Sequence, residues 1–208
     1  MGKSYHRSTT VVKRQKWLTT CEMCYYGSTL QDGRCSLRDI SLGRLAGLRL
    51  SAEPSALFGA LGLWTLLTML GAVIIPLPIG VAILGGLLGA IAHFLSELLH
   101  QLGHAWAARR TGYPMTGVRY WFLLGTSIYP ADEPALPGRI HIRRALGGPI
   151  VSVLIGLVAA ALTLLLNGLA GWLLLFIAIE NLLVFGLGAF LPLGFTDGST
   201  ILQWWGKP

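Results

Sequence analysis

Ala92–Arg110 reads AHFLSELLHQLGHAWAARR, and it decides how the rest of the chain is read. It lies at the end of a long apolar run, yet carries His93, Glu97, His100, Gln101 and His104. At about 100° per residue, His93, His100 and His104 fall within roughly 40° of one another on a helix, with Glu97 at the edge of that stripe and Gln101 just beyond it. Ionisable groups inside a membrane helix are expensive and mark a functional site by default. Two histidines at i and i+4 can hold one metal ion from a single helix face. The spacing is that of H-E-x-x-H, but the residues are His100-Gln101-Leu102-Gly103-His104. Glutamine keeps the shape of glutamate and can orient a water, but its amide does not accept a proton near neutral pH.

Working outward, the composition agrees with a membrane setting. Of 208 residues 53% are hydrophobic and only 12% charged, about half the charge of an ordinary soluble chain. The expected fold is mainly α, a polytopic membrane protein with about four spans and a short β-containing cytoplasmic connection. The spans are read at about 56–75, 79–108, 148–166 and 172–191. Pro76 and Pro78 break the first from the second, because proline ends helices and restricts the residue before it. The glycines and alanines of Val81–Ala92 allow close helix approach. Leu37–Leu50 is short, basic and interrupted by Gly43 and Gly47, which fits short strands, an interfacial segment or a basic flank. Between the second and third spans, Val118–Leu124 has strand character, and Pro130, Pro134 and Pro137 mark loop. His141, flanked by basic residues, reads as a surface histidine.

Two domains are expected: a basic, disordered tail over 1–36 and a membrane-embedded unit over 37–208. Met1–Asp39 has no apolar core, so no signal peptide is expected there. Cys21, Cys24 and Cys35 with His6 reach the ligand count of a zinc site, against the plainer reading of a flexible tail.

The basic residues fix a topology. Of the 16 Lys and Arg, nine precede the first span, six lie between the second and third, and Lys207 is the last. With four spans all of them fall on one side, so both termini and the long connection are expected in the cytoplasm of a plasma (inner) membrane protein. The charge of +7 then needs no nucleic acid; the bilayer is the first partner. His104 lies roughly 7 Å inside the cytoplasmic end of its helix, and Asp197, just after the fourth span, is at similar depth. Catalytic zinc takes three protein ligands and keeps one position for water. His100 and His104 supply two, and Asp197 is the candidate third by depth and type. Glu180 and Asn181 in the fourth span read as structural, with Glu180 or Glu97 as a partner for His93.

His100–His104 followed by Ala105-Trp106-Ala107-Ala108-Arg109-Arg110, Gly112 and Pro114 resembles the site-2 protease family of intramembrane zinc metallopeptidases. So do Leu42–Gly47 leading to Pro54-Ser55, Gly148-Pro149, and Pro192 placed before Asp197-Gly198. The resemblance runs from about Leu42 to Leu202. It implies a Zn2+ site of two histidines and one aspartate, a peptide or transmembrane-segment substrate, and a strand after the motif, here Val118–Leu124, that holds the substrate extended. Three positions depart from the family: Ser152 and Ala189, where asparagine is frequent, and Gln101 at the general base. Glu97 is a candidate substitute base, but helical side chains tilt toward the N-terminus, so it should point away from a metal held by His100 and His104. Three readings stay open: a metallopeptidase, a catalytically silent relative that binds peptide or membrane partners, and a membrane protein using His93, His100 and His104 for haem or ion handling.

Overall fold

The computed structural model describes residues 39–207, so the tail and its Cys21, Cys24 and Cys35 lie outside the described residues. Two strands come first, β1 (Ile40–Leu45) and β2 (Leu48–Ala52). From Ile40 to Leu50 the segment is thus hairpin rather than flank, and its tight turn is Ala46-Gly47, both at positive φ (50° and 83°), as two-residue hairpin turns require. Among the described residues, four helices are long and apolar enough to cross a membrane. They are α1 (Pro54–Val73), α2 (Ile79–Arg110), α3 (Gly138–Thr163) and the fourth span, in which α4 (Gly168–Ile179) runs into a π-helical stretch, Glu180–Leu187, and a final 3-10 turn, Gly188–Phe190. β3 (Gly117–Trp121) and β4 (Leu124–Ile128) follow α2, and α5 (Asp197–Trp204) ends the fold.

The sheet has the order β1-β2-β3-β4, with β2 and β3 parallel and the outer pairs antiparallel. The parallel pairing is closed through α1 and α2, so the sheet sits at the end of α2 that carries the histidines. Its core contacts are Leu48, Val118, Met115 and Tyr120 against Ala105 and Ala108 of α2. The helices otherwise expose leucine, isoleucine and phenylalanine outward, as lipid-facing helices do. The fold is mainly α with four such helices and a small sheet.

Two expectations need correcting in extent. The third span was read from Gly148, but α3 starts ten residues earlier, at Gly138. The basic run Arg139–Arg144 and the Gly147-Gly148-Pro149 sequence disguised a continuous helix with proline inside it. Strand character was expected only over Val118–Leu124, but Leu124–Ile128 is a second strand, β4, paired Val118 to Ser127 and Tyr120 to Gly125. Gly-Thr-Ser carries no apolar alternation, so only pairing with β3 defines it.

Close packing of α2 on α3 positions the site. A Cβ on Gly147 would come 2.7 Å from Ala107 Cβ and against Gly103 O, and one on Gly103 would meet Gly147 O. The two backbones touch at these glycines, one residue from His104 and Gly148. That is the small-residue contact membrane helices use in place of a hydrophobic drive.

Candidate metal centre

His100 and His104 lie one turn apart on α2, both buried. Their Nε2 atoms are 3.0 Å apart and face each other. Asp197, in the first turn of α5, reaches both: Oδ2 is 3.4 Å from His100 Nε2 and Oδ1 3.3 Å from His104 Nε2. One donor atom from each of the three residues lies within 4.8 Å of the others.

The far sides of the rings explain why Nε2 is the free nitrogen. In its shorter contact His104 Nδ1 is 2.8 Å from Arg144 O, a carbonyl that can only accept. Gly148 N also approaches Nδ1, at 3.3 Å, but the shorter contact to an acceptor favours the proton on Nδ1 and a lone pair on Nε2. His100 Nδ1 is 2.9 Å from Ser152 Oγ, so the serine hydroxyl can accept the same way. Such outward hydrogen bonds fix the tautomer of metal-ligating histidines. Two lone pairs and a carboxylate then converge on one point, which is repulsive without a cation there. Gly148 leaves that point open: a Cβ on it would come to 2.5 Å from His100 Nε2 and against His104 Nε2. Donor set, tautomers and space all fit a small divalent cation.

The remaining members of the polar stripe face elsewhere. Gln101 donates from Nε2 to Glu97 Oε1 at 2.9 Å and to Gly125 O at 3.0 Å, and its Oε1 accepts from Ser127 Oγ at 2.8 Å. Glu97 Oε1 also accepts from Gly125 N at 2.8 Å. His93 pairs with Glu180 through Nδ1 and lies 2.8 Å from Leu123 O through Nε2, so of its two expected partners it takes Glu180. Asn181 donates to Ser96 Oγ and Ile177 O rather than to Glu180.

A cavity of about 740 Å³ opens beside the donors, lined among others by Glu97, His100, Gln101, Trp121, Thr126, Tyr129, Phe195 and Asp197. Its outer rim carries a charged clamp that sequence reasoning missed. Arg144, buried on α3, donates to both carboxylate oxygens of Glu133 and to Tyr113 O, and stacks over Tyr129 at 4.3 Å. Burial pushes the Tyr129 phenol up to about 12, so it keeps its proton. His141, read as a surface histidine, is half-buried and stacks on Trp204 of α5 at 4.0 Å. Only placing Arg139–Arg144 on a helix would have shown which of these basic residues turn inward.

No family model matches the chain. It is 33% identical over 178 residues to Rip3 of Mycobacterium tuberculosis, named as a candidate zinc metalloprotease, with the same match in two strains. The alignment takes in 80% of this chain and 44% of the relative, so the chain spans less than half the length of the curated proteins it matches. Among solved structures, the site-2 protease from Methanocaldococcus jannaschii shares the fold, with a TM-score of 0.59 over 80% of this chain and 70% of the other, at 19% identity. Kinship in sequence with a protein named as a zinc metalloprotease and a common fold with a site-2 protease agree with the resemblance to the site-2 protease family that the chain's own residues carry.

Proposed function

We propose that this chain is a membrane-embedded zinc metallopeptidase-like protein that takes a peptide or transmembrane segment into the cavity beside its histidine pair. His100, His104 and Asp197 would hold Zn2+, which when bound polarises a carbonyl and lowers the pKa of water. The observation that carries this reading is the convergence of the three donor atoms with both imidazoles turned by Ser152 and Arg144 O. The residues around them do the remaining tasks. Gly148 keeps the space clear, the hairpin β3–β4 walls the cavity, and the Arg144–Glu133 clamp fixes the loop at its rim. The charge asymmetry of the sequence supports termini in the cytoplasm and a plasma (inner) membrane location.

A second reading, a silent relative that binds peptides through the same cleft, has one observation in its favour: Gln101 stands at the base position with its amide fully engaged. Haem handling has nothing comparable, since His93 is tied on both nitrogens. The test is cleavage of a transmembrane peptide by the purified chain in liposomes, with and without chelator. Chelator-sensitive cleavage lost in His100→Ala supports the peptidase. Bound zinc with no cleavage selects the silent relative, and no zinc in the unmodified chain sinks both.

A further inference from the structure

The stripe on α2 carries more polar groups than a metal centre needs, and much of the surplus faces the β3–β4 hairpin. Three residues reach it in sequence: His93 to Leu123 O, Glu97 to Gly125 N, and Gln101 to Gly125 O and Ser127 Oγ. The orientation of the Gln101 amide is dictated by these partners. Two of them, Glu97 Oε1 and Gly125 O, accept, and the third is a hydroxyl that can donate. A reversed amide would set its oxygen against both acceptors. Gly125 is also the residue this contact demands, since a Cβ there would lie 2.5 Å from Glu97 Oε1 and 3.1 Å from Gln101 Cγ.

We propose that Gln101 is a positioning residue, the clasp that docks the hairpin on α2, and that Glu97, held by this clasp, is the carboxylate the cavity presents in place of residue 101. The second half rests on the peptidase reading; the clasp itself does not. A glutamate at 101 could not make the same contacts. It has no N–H for Gly125 O, and it would bring a second carboxylate to about 3 Å from Glu97, where both cannot ionise. Three carboxylates line the cavity. Asp197 faces the histidines and Glu133 is held by Arg144. Glu97 commits Oε1 to the clasp and, among the described residues, leaves Oε2 without a hydrogen-bond partner. The clasp also sets the cavity wall, because Trp121, Leu124, Gly125, Thr126 and Ser127 all line it.

In hydrolysis the attacking water would give one proton to Glu97 as its oxygen bonds the peptide carbonyl carbon. That proton would pass to the leaving amine nitrogen as the C–N bond breaks.

The test uses the full chain in liposomes, comparing the unmodified protein with Gln101→Glu, the exchanged pair Glu97→Gln/Gln101→Glu, and Ser127→Ala. Hydrogen exchange is followed over residues 122–128, zinc content and peptide cleavage in parallel. Gln101→Glu is expected to speed exchange there by about tenfold, the loss of one or two hydrogen bonds, without raising cleavage or changing zinc. The exchanged pair should recover part of the protection, because an amide again bridges to Gly125 N and to residue 101. Ser127→Ala should speed exchange by a smaller factor, and it decides the matter if Gln101→Glu does not fold. Unchanged protection in both single variants overturns the clasp. Faster cleavage by Gln101→Glu with the hairpin still protected returns the carboxylate role to position 101 and overturns the assignment to Glu97. A chain that binds zinc but cleaves nothing in any form removes the Glu97 role together with the peptidase reading, while exchange still decides the clasp.

Discussion

The two ends of the polar stripe on α2 follow opposite rules. At one end, His93, Glu97 and Gln101 meet groups of complementary kind: a carboxylate and a carbonyl for the imidazole, an N–H for the carboxylate, a carbonyl and a hydroxyl for the amide. At the other, His100 and His104 satisfy their Nδ1 atoms and then turn two lone pairs toward each other and toward Asp197. Buried polar groups are ordinarily paired, so the first end reads as structure completed within the chain except at the second carboxylate oxygens of Glu97 and Glu180. The second has the donor set of the proposed cation site. Polar residues at helical spacing thus separate into architecture and chemistry by whether their partners complement them.

That contrast can be broken from either end. The largest effect is expected for His104→Ala, which removes a donor from the centre; metal content by elemental analysis should fall to background while the melting temperature of metal-free protein stays near that of the unmodified chain. At the closed end, Glu180→Gln leaves His93 without its counter-charge. Breaking a buried pair from one side costs about 3–5 kcal/mol, so thermal unfolding in detergent should move down sharply with zinc stoichiometry of the folded fraction unchanged. Ser152→Ala sharpens the contrast, because it touches only the outward hydrogen bond of His100. Losing such a partner weakens metal affinity by about 10- to 100-fold, which competition with a chromogenic chelator would read.

The smallest effect concerns the rim. The Arg144 hydrogen bonds hold the Glu133 carboxyl below its usual range. A depressed carboxyl stabilises the fold above its unfolded value, and that contribution is lost as pH falls through the depressed value. Proteolysis of the 129–137 loop should therefore be slow near neutrality and rise only as pH falls below the ordinary carboxylate range.

How far the sequence carried depends on the kind of signal each element holds. The four spans were legible from uninterrupted apolar length, and the stripe from its period. The proximity of Asp197 to the histidines was reachable through depth, since the charge asymmetry of the sequence groups those two helix ends together. β4 was not legible, because Leu124–Ile128 has no alternation and exists through pairing with β3. The first ten residues of α3 were hidden by basic residues and by Pro149, which the helix accommodates in its interior. Burial of Arg144 followed from that hidden helix, and so did the acceptor that fixes the His104 tautomer. The meaning of Gln101 was only half legible: its chemistry denies a base at that position, while the contacts that occupy it come from a hairpin whose second strand leaves no signal in the sequence.

The central claim is that His100, His104 and Asp197 hold one metal ion. It is tested most directly by metal stoichiometry of the purified chain beside Asp197→Asn and Gly148→Ala, the second of which fills the space between the imidazoles without removing a donor. The account predicts close to one zinc per unmodified chain and a loss of most of it in both variants. Unchanged zinc in the two variants would contradict it.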